Sequence, residues 1–301
     1  MLGKALRVRK DVVMKILVTG VNGQLGYDVV REGQKRGFEV IGVGSKQMDI
    51  TKENEVFDTI RQHKPDAVIH CAAYTSVDAA EDNLNQARDV NVEGSKNIAK
   101  ACKEIDCKLI YISTDYVFPG LGDKEFEIED EKGPQNVYGL TKYEGELEVM
   151  KYLEKYFIVR VSWVYGLNGK NFVKTMLQLA KSQDQVNVVC DQVGSPTYSQ
   201  DLSILLLDMS QSQKYGTYHA TNEGFCSWYE FACEIFQYAN INIKVNPITS
   251  IEFSAKAVRP QNSRLSKRSL DQAGFRRLPN WRDALKRYIA VLKEDKIDGE
   301  N

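Results

Sequence analysis

Short runs of apolar, often β-branched residues alternate with longer amphipathic segments along the first half of the chain. The runs at residues 14–20, 38–44, 66–73 and 108–114 are almost continuously apolar, which is typical of parallel strands covered on both faces. The segments between them place apolar residues at helical spacing. This alternation indicates βαβ units, and it predicts an α/β fold with a Rossmann-type, doubly wound parallel sheet.

The pattern continues with a helix predicted from about Tyr138 and a strand predicted over residues 157–166. After Gly166 the pattern changes to helices and short, aromatic-rich strands, with no flexible linker. We therefore expect a Rossmann domain over residues 14–165 and a smaller C-terminal α/β region over residues 166–301, partly interleaved with it. Residues 1–13, before the first strand, are predicted to form an N-terminal extension.

The composition mainly excludes classes of binding partner and cellular location. The 301 residues include 40 basic and 41 acidic side chains, so no charged surface for nucleic acid or an anionic membrane is expected. No apolar run reaches the roughly 18 residues of a membrane span, and the first residues lack the apolar core of a signal peptide. The six cysteines form no CxxC pair, and no zinc-ligand spacing is present. We expect a cytoplasmic protein with reduced thiols and neither nucleic acid nor membrane as a partner.

Three glycines in the stretch VTGVNGQLG lie between the first predicted strand and the first helix. Glycine there permits a tight turn, close approach of a pyrophosphate to backbone N–H groups, and close packing of helix on strand. The spacing is GxxGxxG rather than GxGxxG, so the flanking strand and helix are needed to distinguish a dinucleotide site from an ordinary glycine-rich turn. The predicted cofactor-binding residues of this turn are Gly20, Asn22, Gly23, Gln24, Leu25 and Gly26.

The end of the second strand bears on which dinucleotide is used. An acid commonly binds the ribose there, but this chain has Ser45 and Lys46, and no acid before Asp49. A 2′-phosphate would not be repelled, and Lys46 would either attract it or be an ordinary solvated charge. NADH and NADPH are both compatible with this pattern, and Asp49 and Ile50 begin a loop predicted to cover the adenine.

Tyr138 and Lys142 are four residues apart on a predicted helix, so their side chains project from the same face. A nearby cation lowers the pKa of a phenol, ordinarily about 10, and suits it to proton transfer. The same spacing also occurs on surface helices, but here it follows a dinucleotide turn. Thr114, at the carboxyl end of a central strand, would open into the ligand crevice and bind a substrate oxygen; a turn or N-cap role is the alternative.

Several motifs in order resemble the extended short-chain dehydrogenase/reductase superfamily: GxxGxxG, HCAAYTSVD, NVEG, STDYVF, YxxxK and RVSWVYG. Within it, STDYVFPG, NVYGLTKYEGE, NFVKTML, DQVGSPT and VRPQNSRL resemble the dTDP-4-dehydrorhamnose reductase family, over residues 14–281. The resemblance implies dTDP-rhamnose biosynthesis. The implied reaction reduces the C4 ketone of dTDP-4-dehydro-L-rhamnose to dTDP-L-rhamnose with NADH or NADPH.

The resemblance also implies roles for individual residues. Tyr138 would donate the proton, Lys142 would assist it and bind the cofactor ribose, and Thr114 would complete the catalytic set. The C-terminal region would bind the dTDP-sugar. Further cofactor contacts are implied for Ala72, Ala73, Tyr74 and Asn91, the last placing the lysine through water. Substrate contacts are implied for Thr114, Asp115, Trp163, Asn171, Gln192, Arg259 and Arg264, although Trp163 in the core and Arg264 as a surface charge are alternatives.

Two departures from related families limit these expectations. Some family members carry a glutamate as a magnesium ligand at a dimer contact, but the segment around Gln200 has none; we predict no bound metal and leave a homodimer open. Dehydratases of this fold carry a glutamate where this chain has Tyr116, which disfavours a dehydratase. An epimerase, or a non-catalytic subunit like the methionine adenosyltransferase beta subunit, remains an alternative, although the complete set of Thr114, Tyr138 and Lys142 favours catalysis.

Overall fold

The structure is a computed structural model that describes residues 13–298, and the side chains of residues 13–294. Of the predicted N-terminal extension, residues 1–13, all but Val13 lie outside the described residues.

The first half of the chain forms alternating strands and helices, as the hydrophobic pattern predicts. They are β1 (Lys15–Thr19), α1 (Gln24–Lys35), β2 (Glu39–Val43), α2 (Glu53–His63), β3 (Ala67–His70), α3 (Val77–Ala80), α4 (Leu84–Arg88), α5 (Ser95–Glu104), β4 (Lys108–Thr114), α6 (Val137–Tyr152) and β5 (Tyr156–Val161). The single helix expected before β4 is in fact α4 and α5 joined by a π-helical segment, Asp89–Gly94.

The second half is built from shorter elements. They are β6 (Val164–Tyr165), α7 (Phe172–Leu179), β7 (Gln185–Val189), β8 (Val193–Gly194), β9 (Thr197–Tyr198), α8 (Ser199–Gln211), β10 (Gly216–His219), β11 (Cys226–Ser227), α9 (Trp228–Ala239), β12 (Lys244–Ile248), α10 (Ser250–Phe253), β13 (Asn262–Ser263), α11 (Arg268–Ala273) and α12 (Trp281–Asp298).

The central sheet has six strands in the order β10-β5-β4-β3-β1-β2, and every pair is parallel. The strands β1, β3 and β4 are buried because helices cover both faces, which explains their continuous apolar sequences. The chain reverses its direction of winding between β1 and β3, which opens a crevice at the carboxyl ends of these strands. The predicted α/β, Rossmann-type fold is confirmed.

The C-terminal half contributes directly to this sheet and its core. Strand β10 pairs with β5 as the sixth strand, and α8 buries Leu202 and Leu206 in the same apolar cluster as Ile16 and Val29 of the first half. The two regions thus share this core. The predicted division into two regions at residues 165 and 166 remains a prediction.

The strand predicted over residues 157–166 is interrupted, which the apolar pattern does not indicate. Trp163 adopts a left-handed backbone conformation with φ of 49°, so the chain leaves the central sheet after β5 and β6 pairs with β9 instead. A left-handed conformation costs free energy for a residue other than glycine. Here it directs the indole into the crevice described below.

Candidate active site

A cavity of about 950 Å³ opens at the carboxyl ends of the central strands, and residues of both halves of the chain line it. The predicted site residues in its wall are Gly20, Asn22, Gly23, Gln24, Leu25, Gly26, Asp49, Ile50, Ala72, Ala73, Thr114, Asp115, Tyr138, Lys142, Trp163, Asn171 and Arg259. The remaining four, Tyr74, Asn91, Gln192 and Arg264, do not line this cavity.

The glycine-rich turn between β1 and α1 is suited to a pyrophosphate. Gly20 has φ of 68°, and a β-carbon on it would lie 2.7 Å from the backbone nitrogen of Ala72. A β-carbon on Gly26 would collide with the carbonyl of Gly20. Helix α1 begins here without a side-chain cap and without an acid in its first turn, so its first N–H groups are available to an anionic ligand. These residues therefore fit a dinucleotide.

Where the cavity reaches the end of β2, its wall presents a hydroxyl rather than a carboxylate. Ser45, which follows β2, is exposed and lines the cavity. The carboxylate of Asp49 accepts hydrogen bonds from the Thr51 backbone nitrogen at 3.0 Å and the Thr51 hydroxyl at 2.8 Å. Because Asp49 is bound to its own loop, no acid takes the usual place at the end of β2.

Tyr138 and Thr114 meet where α6 faces the end of β4. The side chain of Asn136 caps α6 by accepting a hydrogen bond from the Gly139 nitrogen at 2.8 Å, which places Tyr138 in the first turn. Removal from water raises the pKa of Tyr138 to about 12, against the opposing effect of a hydrogen bond with the Thr114 side chain. The lowering of this pKa expected from a nearby cation is therefore not found in the folded chain. The phenol is therefore protonated near neutral pH and is able to donate its proton.

Lys142 lies one turn beyond Tyr138 and is only 2% exposed. Its Nζ is 4.0 Å from the centre of the Tyr111 ring, a favourable position for a cation. Burial lowers the pKa of Lys142 to about 7, and the negative charge of Glu146 opposes that decrease. In the absence of cofactor, Lys142 therefore holds its proton less tightly than an exposed lysine does.

Glu146 belongs to a buried network that the sequence reasoning missed. Its carboxylate accepts hydrogen bonds from the Ser113 hydroxyl at 2.5 Å and from Arg160 of β5, at 2.9 Å to Nε and 2.7 Å to Nη2. The Glu146 and Arg160 side chains are 0% and 3% exposed, respectively. This buried ion pair joins α6 to β5 and holds the helix against the sheet. Tyr138, Lys142 and Glu146 follow one another at intervals of four residues, which places them on one helix face. This spacing is the sequence signal that could have identified Glu146.

Asp115 connects the end of β4 to the C-terminal half. It accepts hydrogen bonds from the Thr114 hydroxyl at 3.0 Å and from the Ser263 hydroxyl of β13 at 2.5 Å. Burial raises the pKa of Asp115 to about 6, and these hydrogen bonds oppose the increase. The predicted substrate contact of Asp115 is thus compatible with its place in the cavity wall.

Asn91 lies behind the cavity wall and joins two elements that form it. Its side-chain oxygen accepts a hydrogen bond from the Tyr74 nitrogen at 2.8 Å, and its side-chain nitrogen donates to the Tyr74 carbonyl at 3.2 Å and to the Thr141 hydroxyl at 3.0 Å. Asn91 therefore fixes the loop after β3 against α6, next to Lys142. Its implied action on the lysine through water stays a prediction.

One wall of the cavity is aromatic. Trp163 stacks on Trp228, with ring centroids 3.7 Å apart and an interplanar angle of 13°. Trp228 begins α9, whose capping box is formed by Ser227 and Glu230. Sequence reasoning did not identify Trp228, because only the folded chain brings it opposite Trp163.

The other predicted substrate residues differ in which cavity they line. The Asn171 side chain caps α7 and also bonds Gln24, Gly166 and Tyr288. Gln192 lines a second cavity of about 410 Å³, and Arg259 lines both cavities. Arg264 bonds Asn262 and lines neither cavity. Their substrate contacts remain predictions.

Two further features concern metals and membranes. Among the residues that the structure describes, no three His, Cys, Asp or Glu side chains come together in a group that could hold a metal ion. Across residues 13–298, none of the helices is long and apolar enough to cross a membrane. The predicted absence of a metal stays a prediction.

Known proteins resemble this chain over nearly its whole length. Residues 14–294 match the model of the RmlD substrate binding domain. The spore coat polysaccharide biosynthesis protein SpsK of Bacillus subtilis is 39% identical over 275 residues, covering 91% of this chain and 96% of that protein. The dTDP-4-dehydrorhamnose reductase of Mycolicibacterium smegmatis is 40% identical over 298 residues, covering 97% of this chain and 90% of that protein.

The structural comparison agrees. The crystal structure of the dTDP-4-dehydrorhamnose reductase of Bacillus anthracis, in complex with NADP, has a TM-score of 0.91 and 41% sequence identity, covering 93% of this chain and 100% of that one. The resemblance inferred from the motifs is thereby confirmed. The chain belongs to the RmlD substrate binding domain family, that of dTDP-4-dehydrorhamnose reductase.

Proposed function

We propose that this protein reduces the C4 ketone of dTDP-4-dehydro-L-rhamnose to dTDP-L-rhamnose, with NADH or NADPH as the hydride donor and Tyr138 as the proton donor. The observation that carries the proposal is the meeting of Tyr138, Lys142 and Thr114 in the same cavity as the glycine-rich turn. The names of the relatives and the NADP in the Bacillus anthracis structure support it.

Each part of the cavity has a role in this reaction. The glycine-rich turn and the first N–H groups of α1 would hold the pyrophosphate of the cofactor, and Ala72 and Ala73 line the same side. Bound NAD(P)H supplies the hydride. The stacked pair of Trp163 and Trp228 lines the same cavity and would give the sugar an apolar wall.

The proton comes from the chain itself. As the ketone carbon accepts the hydride, negative charge develops on the carbonyl oxygen. The Tyr138 phenol donates its proton to that oxygen. The Thr114 hydroxyl, whose one proton is donated to Asp115 in the structure, turns to donate it to the same oxygen and stabilises the charge. Lys142, protonated, stabilises the phenolate left behind. Removal from water keeps Tyr138 protonated before the reaction, since it raises the pKa of the phenol to about 12.

The alternatives are weaker on the same observations. A dehydratase needs a base beside the ketone, but Tyr116 stands at that position and burial raises the pKa of its phenol. A non-catalytic subunit would need none of the Thr114, Tyr138 and Lys142 geometry. The proposal includes a cytoplasmic location and a dTDP-sugar partner; the unpaired state of all six cysteines fits that compartment.

The test is turnover of dTDP-4-dehydro-L-rhamnose by the purified protein, with NADPH or NADH oxidation followed optically and the product identified as dTDP-L-rhamnose. Tyr138→Phe is expected to lower kcat by about 10²- to 10⁴-fold, the usual contribution of a positioned acid. Tyr143→Phe, on the same helix but outside the cavity lining, is the matched control and keeps wild-type activity. Absence of turnover in the wild-type protein would overturn the proposal.

A further inference from the structure

Arg259 is held by a carboxylate from the cofactor side of the molecule. Its Nη1 and Nη2 donate hydrogen bonds to Asp78, at 3.2 Å to Oδ1 and 2.7 Å to Oδ2. The backbone nitrogen of Ala257 donates to the same Oδ1 at 3.0 Å. One side chain on α3 therefore fixes both the guanidinium and the backbone of the loop that carries it.

The positions of these residues link the two halves of the site. Asp78 lies on α3, which follows the loop whose residues Ala72, Ala73 and Thr75 line the cavity. Arg259 is 23% exposed at its side chain and borders both cavities. If the sugar and the nucleoside of a nucleotide sugar occupy the two cavities, the diphosphate that joins them lies beside Arg259.

We propose that Asp78 is a positioning residue for the diphosphate of the substrate, because it orients the Arg259 guanidinium toward the cavity; this inference rests on the proposed function. Arginine has five N–H donors in a fixed planar arrangement. Asp78 accepts hydrogen bonds from two of them. The Tyr116 phenol also lies within reach of the guanidinium, and the N–H groups that neither residue engages are available to phosphate oxygens. A guanidinium already held in place loses less conformational freedom when the diphosphate binds.

Charge and orientation predict opposite effects of removing Asp78. If the carboxylate acted only through its negative charge, its loss would strengthen the attraction between Arg259 and a dianion. If it acts by orientation, its loss releases Arg259 and weakens binding. The direction of the change therefore decides between the two roles.

The experiment measures the dissociation constant of dTDP by calorimetry, together with KM and kcat of the full reaction. Asp78→Ala is expected to weaken dTDP binding by about 10-fold, the effect of a lost hydrogen bond to a charged group, and to raise KM for the sugar while kcat is unchanged. Arg259→Met is expected to weaken dTDP binding at least as much. The double variant should resemble Arg259→Met alone, because Asp78 acts through Arg259.

The chain offers a matched control. Asp82 forms an ion pair with Lys256, so it joins the same two segments through exposed side chains without contacting Arg259. Asp82→Ala is expected to leave dTDP binding unchanged. Asp78→Asn retains an acceptor for the Ala257 nitrogen, and it is the second variant if Asp78→Ala does not fold, as judged by NADP⁺ binding.

The outcomes separate this inference from the proposed function. Unchanged or tighter dTDP binding in the Asp78 variants, with weaker binding in Arg259→Met, overturns the role of Asp78 alone. Wild-type affinity in Arg259→Met also overturns it, since Asp78 then has no diphosphate ligand to position. A wild-type protein that binds no dTDP and reduces no dTDP-4-dehydro-L-rhamnose overturns the proposed function, and the Asp78 inference with it.

Discussion

Lys142 illustrates how a single position links stability to chemistry. Burial lowers its pKa to about 7 from an ordinary value of 10.5, so the folded chain without cofactor holds this proton less tightly than the unfolded chain does. The groups that face Lys142 are the Tyr111 ring, Glu146 on its own helix, His70 at the end of β3 and Cys71 after it. Its position beside Tyr138 is thus maintained at a cost in stability when the lysine is charged.

The cofactor-free protein is therefore expected to become more stable, relative to Lys142→Met, as the pH rises from about 7 toward 10. In that range the unfolded state binds the additional proton, so the free energy of unfolding increases with pH, by at most about 1.4 kcal/mol per pH unit. Urea unfolding of both proteins at several pH values measures the difference. Titrating groups that lie away from Lys142 are common to both proteins and cancel in the comparison.

Lys151→Met is the control for this measurement. Lys151 lies on the same helix, but its side chain is 60% exposed, so its removal should leave the pH dependence of stability as in the wild type. Parallel curves for wild type and Lys142→Met would show that the buried lysine does not hold its proton differently in the two states.

Among the elements, the end of β2 is where the cofactor preference should be decided. Ser45 is exposed in the cavity wall, and Asp49 is engaged by Thr51. Ser45→Asp would place a carboxylate where a ribose 2′-hydroxyl would be bound and a 2′-phosphate repelled. We expect this variant to shift the ratio of kcat/KM values toward NADH by about 10-fold or more.

Initial rates with NADH and with NADPH, at fixed sugar concentration, measure that ratio. Ser45→Ala removes the hydroxyl without adding charge and is expected to keep the wild-type ratio. An unchanged ratio in Ser45→Asp would mean that the adenosine ribose lies away from the end of β2.

The elements also show where sequence reasoning succeeds and where it stops. The strand β4 and the helix α6 follow local patterns of apolar residues: β4 spans the predicted run 108–114, and α6 begins one residue before the predicted start at Tyr138. The break at Trp163 does not follow such a pattern, because the apolar run 157–166 continues through it. The left-handed backbone of Trp163 is stabilised by tertiary packing, including the stack on Trp228. The glycine turn and the Tyr138 and Lys142 pair were accessible because their spacing is local.

At the scale of the whole molecule, the contacts that complete the site join residues far apart in sequence. Ser263 bonds Asp115, and Arg259 bonds Asp78, and neither pair has a spacing that a sequence pattern could reveal. The same holds for the sheet, since β10 pairs with β5 across the intervening α7 and α8. The two predicted regions are thus parts of one packed body along the cavity.

Because the core is shared, loosening α8 should destabilise both halves together. Leu206 is fully buried in the cluster that contains Ile16 and Val29, and Leu206→Ala is expected to cost about 2–5 kcal/mol. Tryptophan fluorescence reports the C-terminal cluster, which contains Trp163, Trp228 and Trp281, while hydrogen exchange of β1 and β3 reports the first half. Both probes should show the same loss of stability, whereas Leu147→Ala, at a side chain 44% exposed, should change neither by more than about 0.5 kcal/mol. A loss confined to the fluorescence signal would instead divide the molecule into two independently unfolding domains, because α8 would then contribute nothing to the stability of the dinucleotide-binding half.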